Sequence, residues 1–262
     1  MAIWIFLVIH WQASVFFQSV YLHRYGAHGQ YTMSKSWERV FHLLTWLTNG
    51  SSYLSPRAYA IMHRMHHAYS DTERDPHSPV QEPNLFKMMM KTARIYGAIK
   101  RGKFDVEPRF DDGRYPSWPL IDRTQEGWAW PIGWGVAYTL FYMAFATSYW
   151  QFLLLPIHWM MGPIHGAIVN YFGHKLGYRN FKSSDDSRNT LPFDVLTMGE
   201  LFQNNHHKFG QSPNFAARWF EIDPAYVALR VLATIRIVDL TGSQQMRWSP
   251  PITPSLMPRE GL

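Results

Sequence analysis

The chain has 262 residues, room for one large domain or two small ones, and no break in composition divides it. It contains no cysteine, which excludes disulfides, thiolate metal sites, cysteine-ligated iron–sulfur clusters and a cysteine nucleophile, leaving histidine and carboxylate as metal ligands. The net charge of +6 comes without an interleaved basic–aromatic motif, so it argues for a basic face rather than for nucleic-acid binding.

Residues 1–22, "MAIWIFLVIHWQASVFFQSVYL", carry no Asp, Glu, Lys or Arg, and about 20 such residues cross a bilayer as a helix. The segment has neither the basic start nor the A-x-A-like end of a signal peptide. Residues 37–62, "WERVFHLLTWLTNGSSYLSPRAYAIM", are too polar for two crossings. A single crossing there would place Lys35, Arg39, Arg57 and Arg64 on opposite faces, so an interfacial or partly re-entrant helical segment is expected. Residues 80–103 read as an amphipathic surface helix, and 104–123 as a polar loop rich in Pro, Gly and Asp. Residues 127–174 again lack any formal charge, 48 positions in all, enough to cross twice with a short turn. Residues 223–240, opening on Asp-Pro, read as a helix. The Pro-containing stretch 241–262 reads as a disordered tail.

The 25 Lys and Arg fall entirely within 24–123 and 175–259, the segregation that the positive-inside rule produces. The expected fold is therefore an all-α integral membrane protein. It would have about three transmembrane helices, interfacial helices, and a cytoplasmic cap that holds every clustered histidine, in a single domain over 1–240.

Four histidine groups stand out. "HRYGAH" gives His23 and His28, five residues apart and so off one face of a straight α-helix; alone, it is as readily a polar interfacial pair. "HRMHH" gives His63, His66 and His67, whose i, i+3 and i+4 positions share a helix face, where neutral imidazoles converge on a metal. "QNNHH" repeats that spacing with Gln203 in first place before His206 and His207. Adjacent helical residues point about 100° apart, which suits two neighbouring metals better than one. "NYFGH" gives Asn170 and His174 at i and i+4, at the end of the expected last crossing; an ordinary interfacial pair stays open there. Eight clustered histidines exceed what one metal needs, and imidazole sites without thiolate favour redox iron over structural zinc. Asp75 and Glu200 are candidates to hydrogen-bond the far ring nitrogens of ligands, whereas Asp71 and Glu73 read as solvated surface. His10, His42, His77, His158 and His165 stand alone and read as structural or lipid-facing, with His77 also a neighbour of the ligands.

The HxxxxH, HxxHH and late xxxHH boxes around apolar runs resemble the membrane fatty acid desaturases, most closely the acyl-CoA (stearoyl-CoA type) group. The resemblance runs from about residue 10 to 240. It includes "DPHS" (75–78), "NYFGHKLGYRNF" (170–181), "SRN" (187–189), "GELFQNNHH" (199–207) and "WFEIDP" (219–224). It implies a non-haem diiron oxidase in which His23, His28, His63, His66, His67, His174, His206 and His207 ligate two iron ions and Asn170 acts through a water. O2 would be the co-substrate, and a cis double bond in a fatty acyl chain the product. Electrons would come from an external ferredoxin or b-type cytochrome, an acidic donor being attracted to the basic face. Three departures accompany the resemblance. Gln203 replaces the first histidine of the third box. Three crossings are evident where the animal enzymes have four, which would put the N-terminus outside the cytoplasm. Ile61-Met62 stands where those enzymes carry a charged pair that touches CoA, leaving acyl-carrier-protein and lipid-linked chains open as substrates. A hydroxylase on the same scaffold and a non-enzymatic membrane metal or haem protein are the alternative readings.

Overall fold

The computed structural model describes residues 1–246. The expected tail lies outside the described residues from 247 onward, and 241–246 form a turn followed by chain without regular structure. The N-terminal helix α1 (Ala2–Phe17) runs without a break into a π-helical stretch (Gln18–Ala27). Together they make the helix Ala2–Ala27, which alone among the described residues is long and apolar enough to cross a membrane as one piece. Trp4, Ile5, Val8 and Ile9 point outward from its first half. Its second half is enclosed: Val20, Tyr21 and Leu22 pack with Phe41, Ala225 and Leu229 in the largest apolar core.

The segment 37–62, expected to be interfacial or partly re-entrant and helical, is built from two helices, α2 (Lys35–Asn49) and α3 (Pro56–Tyr69). Ser34 caps the first through the Trp37 amide, and Ser55 with Pro56 starts the second. Gly50 makes the break between them. Its φ is +49°, and a Cβ there would lie 1.8 Å from the Tyr138 hydroxyl. Helix α4 (Leu85–Lys100) is capped by Asn84 and buries Met88 and Ile99, as the amphipathic reading of 80–103 requires. The loop after it holds one short turn of helix, α5 (Pro119–Asp122).

The run 127–174 departs from two straight crossings. Helix α6 (Ala129–Phe145) has 17 residues, with Ile132, Val136, Leu140 and Met143 exposed along one side. A 3₁₀ stretch (Tyr149–Leu154) leads into α7 (Leu155–Trp159), and then α8 (Met161–Ala167) continues as a π-helical turn (Ile168–Phe172). The chain bends by 75° between Trp159 and Met161, and with this bent pair counted as one broken span the described residues hold two candidate spans by length and composition. Pro163 supplies a physical reason for the break, since its ring and missing N–H prevent a helix from continuing through the preceding turn.

Helix α9 (Gln203–Lys208) carries the third histidine box, and α10 (Pro224–Thr234) is capped by Asp223 through the Tyr226 amide. The helix expected to reach 240 stops at Thr234. Arg236 has a φ of +60°, and the chain turns so that β2 (Val238–Asp239) pairs antiparallel with β1 (Thr32–Met33). The architecture is otherwise helical, with the histidine-bearing elements gathered where α1's π-helical stretch meets α3 and α9.

Gly50→Ala adds a methyl where the backbone is left-handed and the Tyr138 ring is already in place. Strain of about 1–3 kcal/mol plus displacement of Tyr138 is expected. Thermal unfolding of the detergent-solubilised chain would report it, and an unchanged melting temperature would count against this account of the break.

Candidate metal centre

The π-helical stretch settles how His23 and His28 come together. Its hydrogen bonds run i to i+5, including His28 N–H to the His23 carbonyl at 3.1 Å, so residues five apart stack on one face. Their rings lie 5.0 Å apart. A straight α-helix would have separated them; the expected loosening near Gly26 takes this form.

Five imidazoles form a first group: His23, His28, His63, His67 and His206, with one nitrogen from each within 4.8 Å of all the others. A second group holds His66, His174 and His207. Helix α3 therefore divides its histidines: the i, i+4 pair His63 and His67 faces the first group, and His66 faces the second. Helix α9 does the same with the adjacent pair His206 and His207, as their 100° divergence requires. Asn170 and Gln203 line the cavity beside the two groups.

Carboxylates stand behind four of the rings. Glu200 Oε2 lies 2.5 Å from His23 Nδ1, and Asp75 Oδ2 lies 2.9 Å from His66 Nδ1. Asp71 approaches His174 Nδ1 at 2.9 Å, and Asp185 approaches His207 Nδ1 at 2.6 Å. The first two match the sequence reading. Asp71 corrects it: its side chain is turned inward and takes further hydrogen bonds from the Asp186 amide and the Ser78 hydroxyl. Its φ of +62° is the strained backbone that aims it there. Asp185, in "SSDDS", carried no signal that sequence reasoning used; its role depends on a loop folding back over α9. Glu73 is exposed, as expected.

Glu200 is itself held. The guanidinium of Arg24, fully buried, donates to Glu200 and to Asp223 at 2.9 Å each and lies 3.9 Å over the Phe215 ring. Burial alone would raise the Glu200 carboxyl; His23 and Arg24 outweigh it and bring it down to about 2. Removing one member of such a buried ion pair costs about 3–5 kcal/mol, because the remaining charge is stranded.

The donor set fits a cation. Burial first, then the neighbouring imidazoles, pushes the pKa values of His63, His67 and His206 well below the ordinary histidine value, so these rings are neutral at pH 7. His207 is lowered to about 4, again mainly by burial. His23 Nε2 lies 3.0 Å from His206 Nε2, and His67 Nε2 lies 2.9 Å from the same atom. One ring proton cannot satisfy three converging nitrogens. Two nitrogens each roughly 2.1 Å from a shared ion and at right angles lie about 3 Å apart, as these do.

The remaining histidines are not all solitary. His10 and His158 meet Nδ1 to Nδ1 at 2.7 Å, and His158 Nε2 lies 2.9 Å from the Tyr142 hydroxyl, a structural cluster within the apolar helices. His42 lies between Tyr21 and Asp122. His165 reaches Gln18 at 3.4 Å on the cavity wall. His77 packs on His66 with ring centroids 4.2 Å apart.

A cavity of about 280 Å³ adjoins the first group. His23 and His63 open onto it, and Leu54, Met62, Met89, Ala93 and Val169 give it an apolar wall.

A sequence model of the family described as fatty acid desaturase matches residues 1–234. Among similar proteins is a hex-5-enoyl-(acyl-carrier protein) acetylenase of Moorena producens (strain JHB), 28% identical over 88% of this chain and 74% of its own. The Delta-9 acyl-lipid desaturase 1 of Arabidopsis thaliana is 29% identical, over 73% of this chain and 61% of its own. The icosanoyl-CoA 5-desaturase of Limnanthes douglasii is 28% identical, over 89% of this chain and 63% of its own. The chain thus spans less than two thirds of the length of the last two.

Two predictions follow from this geometry. Asp185→Ala frees the His207 ring, and a loss of metal affinity of roughly 10–100-fold is expected in competition with a chelator; an unchanged affinity would remove Asp185 from any orienting role. In the chelator-treated protein, unfolded histidines bind protons near pH 6.5, whereas His207 does so only near pH 4 and His63, His67 and His206 well below 6.5. The unfolded state therefore binds more protons, and stability should fall as pH drops from about 6.5 toward 4. His66, raised by Asp75, Asp71 and Asp185 against its burial, opposes the trend as a single group. Melting temperatures that rise between pH 7 and pH 5 would contradict the sign.

Proposed function

Because the chain belongs to the fatty acid desaturase family, we propose that it is an O2-dependent non-haem diiron enzyme that introduces a cis double bond into a fatty acyl chain. The observation that carries this reading is the pair of histidine groups, one with five imidazoles and one with three, set against an apolar cavity. His23, His28, His63, His67 and His206 would hold one iron, and His66, His174 and His207 the other. Asn170 would act through a water, and Gln203 would be at most a weak ligand. With O2 and two electrons and two protons from outside, the metal pair would supply the oxidising power to remove two hydrogens from an unactivated chain, O2 leaving as two waters.

This chain's own residues do the positioning. Glu200, Asp75, Asp71 and Asp185 hold four Nδ1 atoms so that the Nε2 atoms face inward. The wall of Leu54, Met62, Met89, Ala93 and Val169 excludes water and offers the chain's methylenes only dispersion contacts. The relatives' names place their acyl groups on a carrier protein, a lipid and CoA; the reading here rests on the acyl chain common to all three. An integral membrane location, with the histidine groups on the cytoplasmic side, is part of the proposal. It is supported by the family, by the apolar helix Ala2–Ala27, and by the confinement of Lys and Arg to two stretches. An external ferredoxin or b-type cytochrome would deliver the electrons.

Expression in a host that supplies electron donors, followed by mass-spectrometric lipid profiling, tests the proposal. New cis-unsaturated acyl chains, absent with His63→Ala, are expected. Products that gain an oxygen would indicate the hydroxylase instead, and unchanged lipids from an iron-loaded protein would refute both.

A further inference from the structure

The two histidine groups are unequal, five imidazoles against three, and the sequence position that could even them holds Gln203. Gln203 sits four residues before His207 on α9, hence on its face. Its side chain packs so closely on Gly173, next to His174, that a Cβ on that glycine would lie 2.4 Å from Gln203 Cγ. Its amide nitrogen donates to the Glu200 carbonyl at 2.6 Å. It lines the cavity with one donor already engaged elsewhere.

Close by is His77, 3% exposed, with neither ring nitrogen hydrogen-bonded to any described residue. A neutral imidazole has one N–H and one lone pair, and burying both without partners forfeits the hydration of each. The ring's place is fixed from behind: its backbone N–H donates to Asp75 Oδ1 at 2.9 Å, the same carboxylate that holds His66. One donor atom each from His66, Asp75 and His77 lies within 4.8 Å of the others. His77 also lines the cavity alongside Asn170 and Gln203.

We propose that His77 is the fourth imidazole of the smaller metal site, taking the role that a histidine at position 203 would have. The inference rests on the two-metal reading above. The donor atoms of His77 group with His66 and Asp75 rather than with His174 and His207, so ligation turns the ring toward those two. With both nitrogens unbonded, no hydrogen bond holds it back.

Metal content and Mössbauer spectra of the purified full chain, reconstituted anaerobically with ferrous iron, provide the test. The unaltered chain should hold about two irons and His77→Ala about one, the five-imidazole site keeping its spectrum. The double variant His77→Ala, Gln203→His should recover the second iron. Two irons with unchanged spectra in His77→Ala would overturn the assignment. So would a loss that Gln203→His fails to restore, including loss of both ions. Fewer than two irons in the unaltered chain would instead sink the two-metal reading, and this inference with it.

Discussion

Four carboxylate–imidazole contacts are the constraint on which the site depends. Glu200, Asp75, Asp71 and Asp185 come from loops, and the rings that they hold come from α1's π-helical extension, α3, the end of the bent α7–α8 segment, and α9. Each contact fixes which ring nitrogen carries the proton, and so which nitrogen presents a lone pair to the interior. Enclosed carboxylates are tolerable only when paired. Arg24 completes this for Glu200 and Asp223, tying the first helix to the start of the last across a separation of some two hundred residues in sequence. The strained φ of Asp71 is a local cost of the same requirement.

Helix geometry explains why the imidazoles fall into two groups rather than one. On α3 the i, i+4 pair and the intervening i+3 residue diverge enough to face different centres. On α9 adjacent residues diverge further. Because two helices both straddle the boundary, the groups lie side by side and share scaffolding. The π-helical stretch adds His23 and His28 to the first group by aligning residues five apart. The second group, receiving only one ring from each of three elements, is left smaller, and His77 packs against its His66.

The site was largely legible in the chain because its spacings are local. HxxHH needs only an α-helix to be meaningful, and α3 is one. Asp75 and Glu200 lie within or beside the boxes and were found. Asp71 reads as surface because it sits in a run of charges, "SDTERD", of which Glu73 and Arg74 are exposed; only the loop's path turns it inward. Asp185 lies 22 residues from the ring that it holds, and no periodicity connects them.

Composition and spacing by themselves determined a mostly helical chain, the exclusion of thiolate chemistry, the eight clustered histidines, and the Asp-Pro start of the last helix. Those features depend on residues a few positions apart, where covalent geometry leaves little freedom. Tertiary structure alone decided three things: the π-helical pairing of His23 with His28, the division of the imidazoles into five and three, and the 75° bend within the second half of 127–174. Each depends on which distant segments are packed together, and the free energy of that packing is written in no single stretch of the chain.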